Sequence, residues 1–280
     1  MRVLKQLIPV MLVAFLAGQG VAAVAGDPLL TLVLGLVAAV LTVVVYAWAV
    51  RWAEKHPADD VALRRLPGGL SAGALIGLGW FTLVIVNIAF LEGYRVDGFG
   101  SLIGPVGLFG FMAAAAVTEE VMFRGLLFRL IERRGGTWIA LVSTSVLFGG
   151  MHLINPDATV WGAIAIVIEA GGTFGAAYAA TRNLWVPIGL HFGWNFAESA
   201  IFGTEVSGNG ANEGLLHGVT SGPAILTGGH FGPEASPYTL VFGVIMTVVF
   251  LWLARRRGNL VPFGGRVPSA PPAPTATLAQ

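Results

Sequence analysis

The chain contains no cysteine. That excludes disulfides, thiol nucleophiles and thiolate metal sites, and leaves the compartment open. Charge is scarce as well. Only 11% of the 280 residues are Asp, Glu, Lys or Arg, against about 25% in soluble domains. A net charge of +1, with no basic cluster interleaved with aromatics, argues against a nucleic-acid partner. What abounds is apolar: 55% hydrophobic residues, 39 glycines and a mean hydropathy of +0.78. Such a chain is a polytopic membrane protein rather than a soluble enzyme on an anchor.

Crossing a bilayer as a helix takes about 20 apolar residues. Runs of that kind lie near 6–25, 29–50, 69–91, 102–130, 137–154, 158–180, 184–204 and 238–254. The expected fold is therefore all-α, a transmembrane bundle of about eight spans. Loop charges test the count. With a cytoplasmic N-terminus, eight spans put Arg2, Lys5, Arg51, Lys55, Arg64, Arg65, Arg129, Arg133, Arg134, Arg182, Arg255, Arg256, Arg257 and Arg266 inside, and only Arg95 outside. Both termini are then cytoplasmic, in the cell membrane.

Residues 1–100 are expected to form N-terminal transmembrane helices, and 101–204 the functional core. A Gly-rich outer loop over 205–237 would cover something, and 238–257 would be the last span. The Pro-rich stretch 258–280 is expected to be a disordered tail. Residues 1–25 have a rival reading as a signal peptide, with a basic start, an apolar stretch and Ala-x-Ala before Gly26. Cleavage would leave every later span in place, so topology does not choose; a retained span is the expectation.

Ionisable residues inside these spans need a reason, since a central charge costs roughly 2.5–3.5 kcal/mol even on the lenient insertion scale. The first group is Thr118-Glu119-Glu120-Val121-Met122-Phe123-Arg124. On a helix Glu120 and Arg124 pair along one face, while Glu119 points about 100° away and stays free. The second is Phe148-Gly149-Gly150-Met151-His152, in which Phe148 and His152 share a face and the glycines allow close approach. The third is His191-Phe192-Gly193-Trp194-Asn195, with His191 and Asn195 on one face. Each has a plain alternative: a structural clamp, an interface histidine, or interhelical hydrogen bonding worth about 0.6 kcal/mol. Depth favours a shared site. Counted from the inner ends at about 1.5 Å per residue, Glu119, His152, His191 and Asn195 lie roughly 10–22 Å in. Glu169 and Glu198 are also buried in spans and could extend the site, pair with Arg124 or face polar neighbours. Asn87 reads as helix–helix glue.

Taken together, E-E-x-x-x-R, F-x-x-x-H and H-x-x-x-N on successive helices resemble the CAAX-processing and bacteriocin-processing (CPBP or Abi) intramembrane proteases, which include the type II CAAX prenyl endopeptidase. The resemblance covers roughly 102–205. It implies a hydrolase, an endopeptidase, in which Glu119 and His152 activate water while His191 and Asn195 support the tetrahedral intermediate or bind a metal. Glu120, Arg124 and Phe148 would support them. A zinc site of Glu119, His152 and His191 with an open water position is the cofactor alternative; the acid–base step reads better without metal. The partners implied are a membrane-associated peptide or protein substrate and the lipid bilayer. The Ala/Gly/Val/Arg-rich composition looks bacterial, which leaves substrates between CAAX-like and leader-type. The competing function is a transporter or scaffold using the same polar cluster for ion binding or packing.

Overall fold

A computed structural model describes residues 2–210 and 213–265. Of the described residues 76% are helical. Helix α1 (Arg2–Ala22) is followed by α2 (Pro28–Glu54), whose first turn is capped by the Asp27 carboxylate accepting from the amides of Leu29 and Leu30 at 3.0 Å. Next come α3 (Leu66–Phe90) and α4 (Gly104–Glu120), which runs through a π-helical stretch (Val121–Phe128) into α5 (Arg129–Met151). Helix α6 (Val160–Ile166) likewise passes through a π segment (Val167–Gly171) into α7 (Gly172–Thr181). Helix α8 (Trp185–Asn195) ends in a third π segment, Phe196–Ile201. After a short turn, α9 (Ala224–Thr227), the chain closes with α10 (Pro237–Arg256).

Six stretches among the described residues are long and apolar enough to cross a membrane. Two features account for the difference from eight. Gly104–Ile154 counts as one stretch of 51 residues, about 75 Å of helix against a hydrocarbon core of about 30 Å. It is broken at Gly136, whose φ of 74° and ψ of 173° turn the chain where the fourth and fifth expected spans divide. The helix bearing His191 is short, with 11 α-helical and then 6 π-helical residues.

The expectation of an all-α fold needs a correction. Strands β1 (Tyr94–Phe99) and β2 (Leu216–Thr220) form an antiparallel pair, with Tyr94 opposite Thr220. The partners are more than a hundred residues apart, so neither strand has a local signal beyond a few β-prone residues. The Tyr94 hydroxyl anchors the pair by donating to the Phe202 carbonyl at 2.8 Å. Burial pushes that phenol up to about 12, so it remains a donor through the physiological range. The Gly-rich segment 205–237 is thus a packed cap, with Val206, Ser207, Phe231 and Ala235 all buried.

Basic residues gather at the opposite end. Gln6 donates to Glu54 (3.0 Å) and accepts from Arg129 (2.8 Å), tying α1 to α2 and to the α4–α5 rod. Arg182, after α7, is held by Glu132 and by the Asn259 carbonyl. The tail expected from residue 258 packs here as far as Gly265. Asn259 donates to the Ala180 carbonyl at 2.9 Å, and Val261 is buried beside the Gly136 turn, exchanging hydrogen bonds with Thr137. A polar amide and a valine side chain find a waiting gap, and composition could not foresee it. Residues 266–280, with Arg266 and most of the Pro-rich stretch, lie outside the described residues.

Glycine sets the position of α8. At Gly77 and Gly193 an added Cβ would run into the carbonyl oxygens of Leu190 and Ala74, so α3 and α8 meet backbone to backbone. Gly171 and Gly175 similarly admit Ser145 and Leu141 of α5. At Gly149 the close neighbour is the Ala163 carbonyl of α6, whereas Gly150 faces open space. Asn87 does not bridge helices: it donates to Leu83 of its own helix at 2.7 Å.

Candidate active site

The π segment after Glu120 widens the α4–α5 rod by one residue per turn, a distortion that recurs at functional sites. Glu120 and Arg124 lie on it side by side, both fully buried. Arg124 donates to Glu120 Oε1 at 2.7 Å, the expected i,i+4 pair. Its second terminal nitrogen, Nη2, reaches the Ala170 and Gly171 carbonyls at 3.2 and 3.3 Å, on the π segment before α7. The guanidinium lies 4.5 Å from the Phe148 ring and 5.3 Å from that of Phe174.

Glu120 has a second task that its spacing did not reveal. The same Oε1 lies 3.0 Å from His191 Nδ1. A carboxylate only accepts, so Nδ1 carries the hydrogen and Nε2 is left for the cavity. Glu119 Oε2 stands 4.0 Å from that Nε2 and has no hydrogen-bond partner among the described residues. Glu119 keeps 23% of its side chain exposed, whereas Glu120 keeps none. The two neighbouring acids thus occupy different environments, as the helical offset requires.

His152 ends α5. Its Nδ1 lies 2.8 Å from the Phe148 carbonyl, which accepts, so Nε2 carries the lone pair. Phe148 packs 5.0 Å from the His152 ring and 6.0 Å from His191, and Phe174 stacks on His191 at 5.1 Å. Phe148 is therefore a wall shared by Arg124 and both histidines.

A cavity of about 370 Å³ collects these groups. Glu119, His152, His191 and Asn195 all line it, and its rim includes Asn155 and Ser207. The four residues singled out for their depth share one chamber. Asn155 and Ser207 were not foreseen. Asn155 sits in a Pro-containing turn and Ser207 in a Gly-rich loop, where polar residues need no explanation. Phe174 was missed too, as one aromatic among many; its only signal is the pair of glycines flanking it, Gly171 and Gly175. A second cavity of about 280 Å³ reaches Glu119 between α1 and α4, lined by small residues such as Ala14, Ala17, Gly18 and Ala114.

Glu169 and Glu198 do not line this cavity. Both are buried on π segments, and none of their carboxyl oxygens has a hydrogen-bond partner among the described residues. Arg124 bonds to the Ala170 carbonyl beside Glu169 rather than to the acid itself.

Residues 101–197 match the family model described as Type II CAAX prenyl endopeptidase Rce1-like. The chain carries an Rce1-like domain. That is consistent with the CPBP resemblance, and supports a protease in a membrane at the level of the family. No curated protein and no solved structure shows a significant match to the chain. The Rce1-like domain holds α4 to α8 almost entirely, while α1 to α3, β2 and α10 fall outside it.

A zinc ion would need its donors gathered at about 2.0–2.2 Å from one point. No group of three His, Cys, Asp or Glu side chains among the described residues has that arrangement. His191 donates Nδ1–H to Glu120 and turns Nε2 to the cavity 4.0 Å from Glu119, the orientation that a carboxylate gives to an acid–base histidine and to a metal-ligating one alike.

Proposed function

We propose that this chain is an intramembrane endopeptidase that hydrolyses peptide bonds of membrane-associated proteins, CAAX-like or leader-type, with water activated at Glu119. The observation that carries the reading is the single cavity lined by Glu119, His152, His191 and Asn195. The Glu119 carboxylate, assisted by the His152 Nε2 lone pair, takes a proton from water as the oxygen attacks the carbonyl carbon. The carbonyl π-bond opens to an oxyanion, which accepts from the Asn195 amide NH₂ and from Nε2–H of His191 in its imidazolium form, held by Glu120. Collapse re-forms the carbonyl and breaks the C–N bond, and the proton taken from water passes to the departing amine. No step runs through a metal. The small-residue cavity between α1 and α4 gives a lipid-embedded substrate a lateral approach to Glu119.

The test is cleavage itself. Membrane peptidomes compared between cells making the wild-type chain and cells making His152→Ala should differ by discrete fragments, whose parent protein the purified enzyme then cuts. Cutting should persist after chelation. Identical peptidomes, with no parent protein cut, would sink the endopeptidase reading in favour of transport or scaffolding. Loss of cutting that zinc restores would replace the metal-free step.

The same reading places the basic end of the bundle in the cytoplasm of a cell-membrane protein with eight crossings, both termini inside. Because the chain has no cysteine, single variants report topology cleanly. Arg64→Cys should resist an impermeant maleimide in intact cells, and Asp97→Cys should react. The opposite pattern reverses the orientation.

A further inference from the structure

Three buried acids surround the catalytic cavity without lining it. Among the described residues no group hydrogen-bonds to the carboxyl oxygens of Glu169 or Glu198, but Glu234 makes two such bonds. It is 2% exposed although it comes from the outer cap. Gly228, Gly229 and Gly232, with φ of 84°, 62° and 107°, turn the cap so that Pro233–Ala235 dips into the bundle. The dip is fastened on both sides. Thr239 of α10 donates to the Pro233 carbonyl at 2.7 Å, and Trp161 of α6 donates to the Ala235 carbonyl at 2.9 Å.

Glu234 spends its two oxygens on two walls of the site. Oε1 accepts from Trp194 Nε1 at 3.2 Å, and Oε2 from Ser207 Oγ at 2.6 Å. Trp194 adjoins Asn195 and lies less than one turn beyond His191. Ser207 lines the cavity, and its carbonyl accepts from Asn155 Nδ2 at 2.7 Å, three residues after His152. The neighbouring Gly208 carbonyl accepts from the Asp157 amide at 2.9 Å, while its amide donates to Phe231 at 2.8 Å. One carboxylate therefore ties the helix of His191 and Asn195 to the loop that closes the cavity, and through it to the turn after His152.

We propose that Glu234 is a positioning residue of the hydrolytic site, bracing the α8 helix against the Ser207 loop so that His191, Asn195 and His152 keep their spacing. This rests on the endopeptidase reading of the cavity. Charge-assisted hydrogen bonds are directional enough for the task, and a misplacement of about 1 Å can cost about 10²-fold in rate.

The test uses the purified full chain and its identified substrate. Glu234→Ala should lower kcat per folded, monodisperse molecule by about 10–10²-fold, with KM little changed. Glu234→Gln should recover most of it, because its amide oxygen still accepts from Trp194 and its NH₂ can donate to Ser207 Oγ. Ser207→Ala added to Glu234→Ala should cost less than the two single effects combined, as expected of one coupled brace. Hydrogen exchange at the Asp157 and Gly208 amides should quicken in Glu234→Ala and return to the wild-type rate in Glu234→Gln. A lowered melting temperature with unchanged kcat would overturn the proposal, and so would unchanged exchange. If the wild-type chain cleaves nothing, the endopeptidase reading falls, while exchange at those two amides still decides whether the brace exists.

Discussion

Glu119→Gln should leave a folded protein that no longer cleaves. Removing a positioned general base typically costs about 10²–10⁴-fold, or about 3–5 kcal/mol of barrier at 1.36 kcal/mol per tenfold. The substitution keeps the side chain's size, so a loss of rate cannot be blamed on a cavity. Stability should barely change. Glu119 is partly exposed and its Oε2 has no hydrogen-bond partner among the described residues, so the substitution breaks no hydrogen bond there. The measurement is single-turnover cleavage beside the melting temperature of the same preparation. Cleavage within tenfold of wild type would remove Glu119 from the chemistry and turn attention to the His152 lone pair as the base.

Arg124→Leu should fail in the other way, by not folding. Arg124 is fully buried and serves three neighbours: Glu120 and the two carbonyls of the π segment before α7. Breaking a buried ion pair from one side costs about 3–5 kcal/mol, because the remaining charge stays buried without its counter-ion. Native stabilities are only about 5–15 kcal/mol, so much of the margin goes with one residue. Expression as a fluorescent fusion followed by size-exclusion chromatography should show aggregate in place of a monodisperse peak. Arg124→Lys should recover part of the peak, since an ammonium can meet Glu120 but lacks the planar fork that also reaches the two carbonyls. The double variant Glu120→Gln/Arg124→Leu should fold better than Arg124→Leu and still be inactive, because His191 has lost its carboxylate anchor. A monodisperse Arg124→Leu protein melting within a few degrees of wild type would show that the pair is not structural.

These two variants divide the work of adjacent glutamates. Glu119 looks into the cavity, whereas Glu120 serves Arg124 and His191 through the one oxygen Oε1. Their side chains point in different directions because successive helical residues are about 100° apart, and that much was legible in two letters of sequence. The clamp between Glu120 and Arg124 was legible too, from a spacing of four. Its extension to His191 was not, because the contact joins residues 71 apart. The β1–β2 pair and the docking of Asn259 and Val261 escaped for the same reason. Each depends on surfaces brought together from distant parts of the chain.

Glu234 shows the limit most plainly. In the sequence it is one acid in a Gly-rich outer segment, where a carboxylate needs no explanation. Folded, it lies beneath the cap with both oxygens occupied.

By itself the sequence showed the apolar helices of a membrane protein, which of them carry the candidate site, and that Glu119, His152, His191 and Asn195 are out of place in apolar spans. It could do so because the penalty for burying a polar group is local, and shows in composition and helical spacing. Only the tertiary structure decided that one oxygen of Glu120 serves both Arg124 and His191, and that Glu234 reaches Trp194 and Ser207. It also decided that α8 lies against α3 with no side chain between Gly77 and Leu190. Those outcomes follow from packing between distant segments, and no spacing along the chain encodes which surfaces will meet.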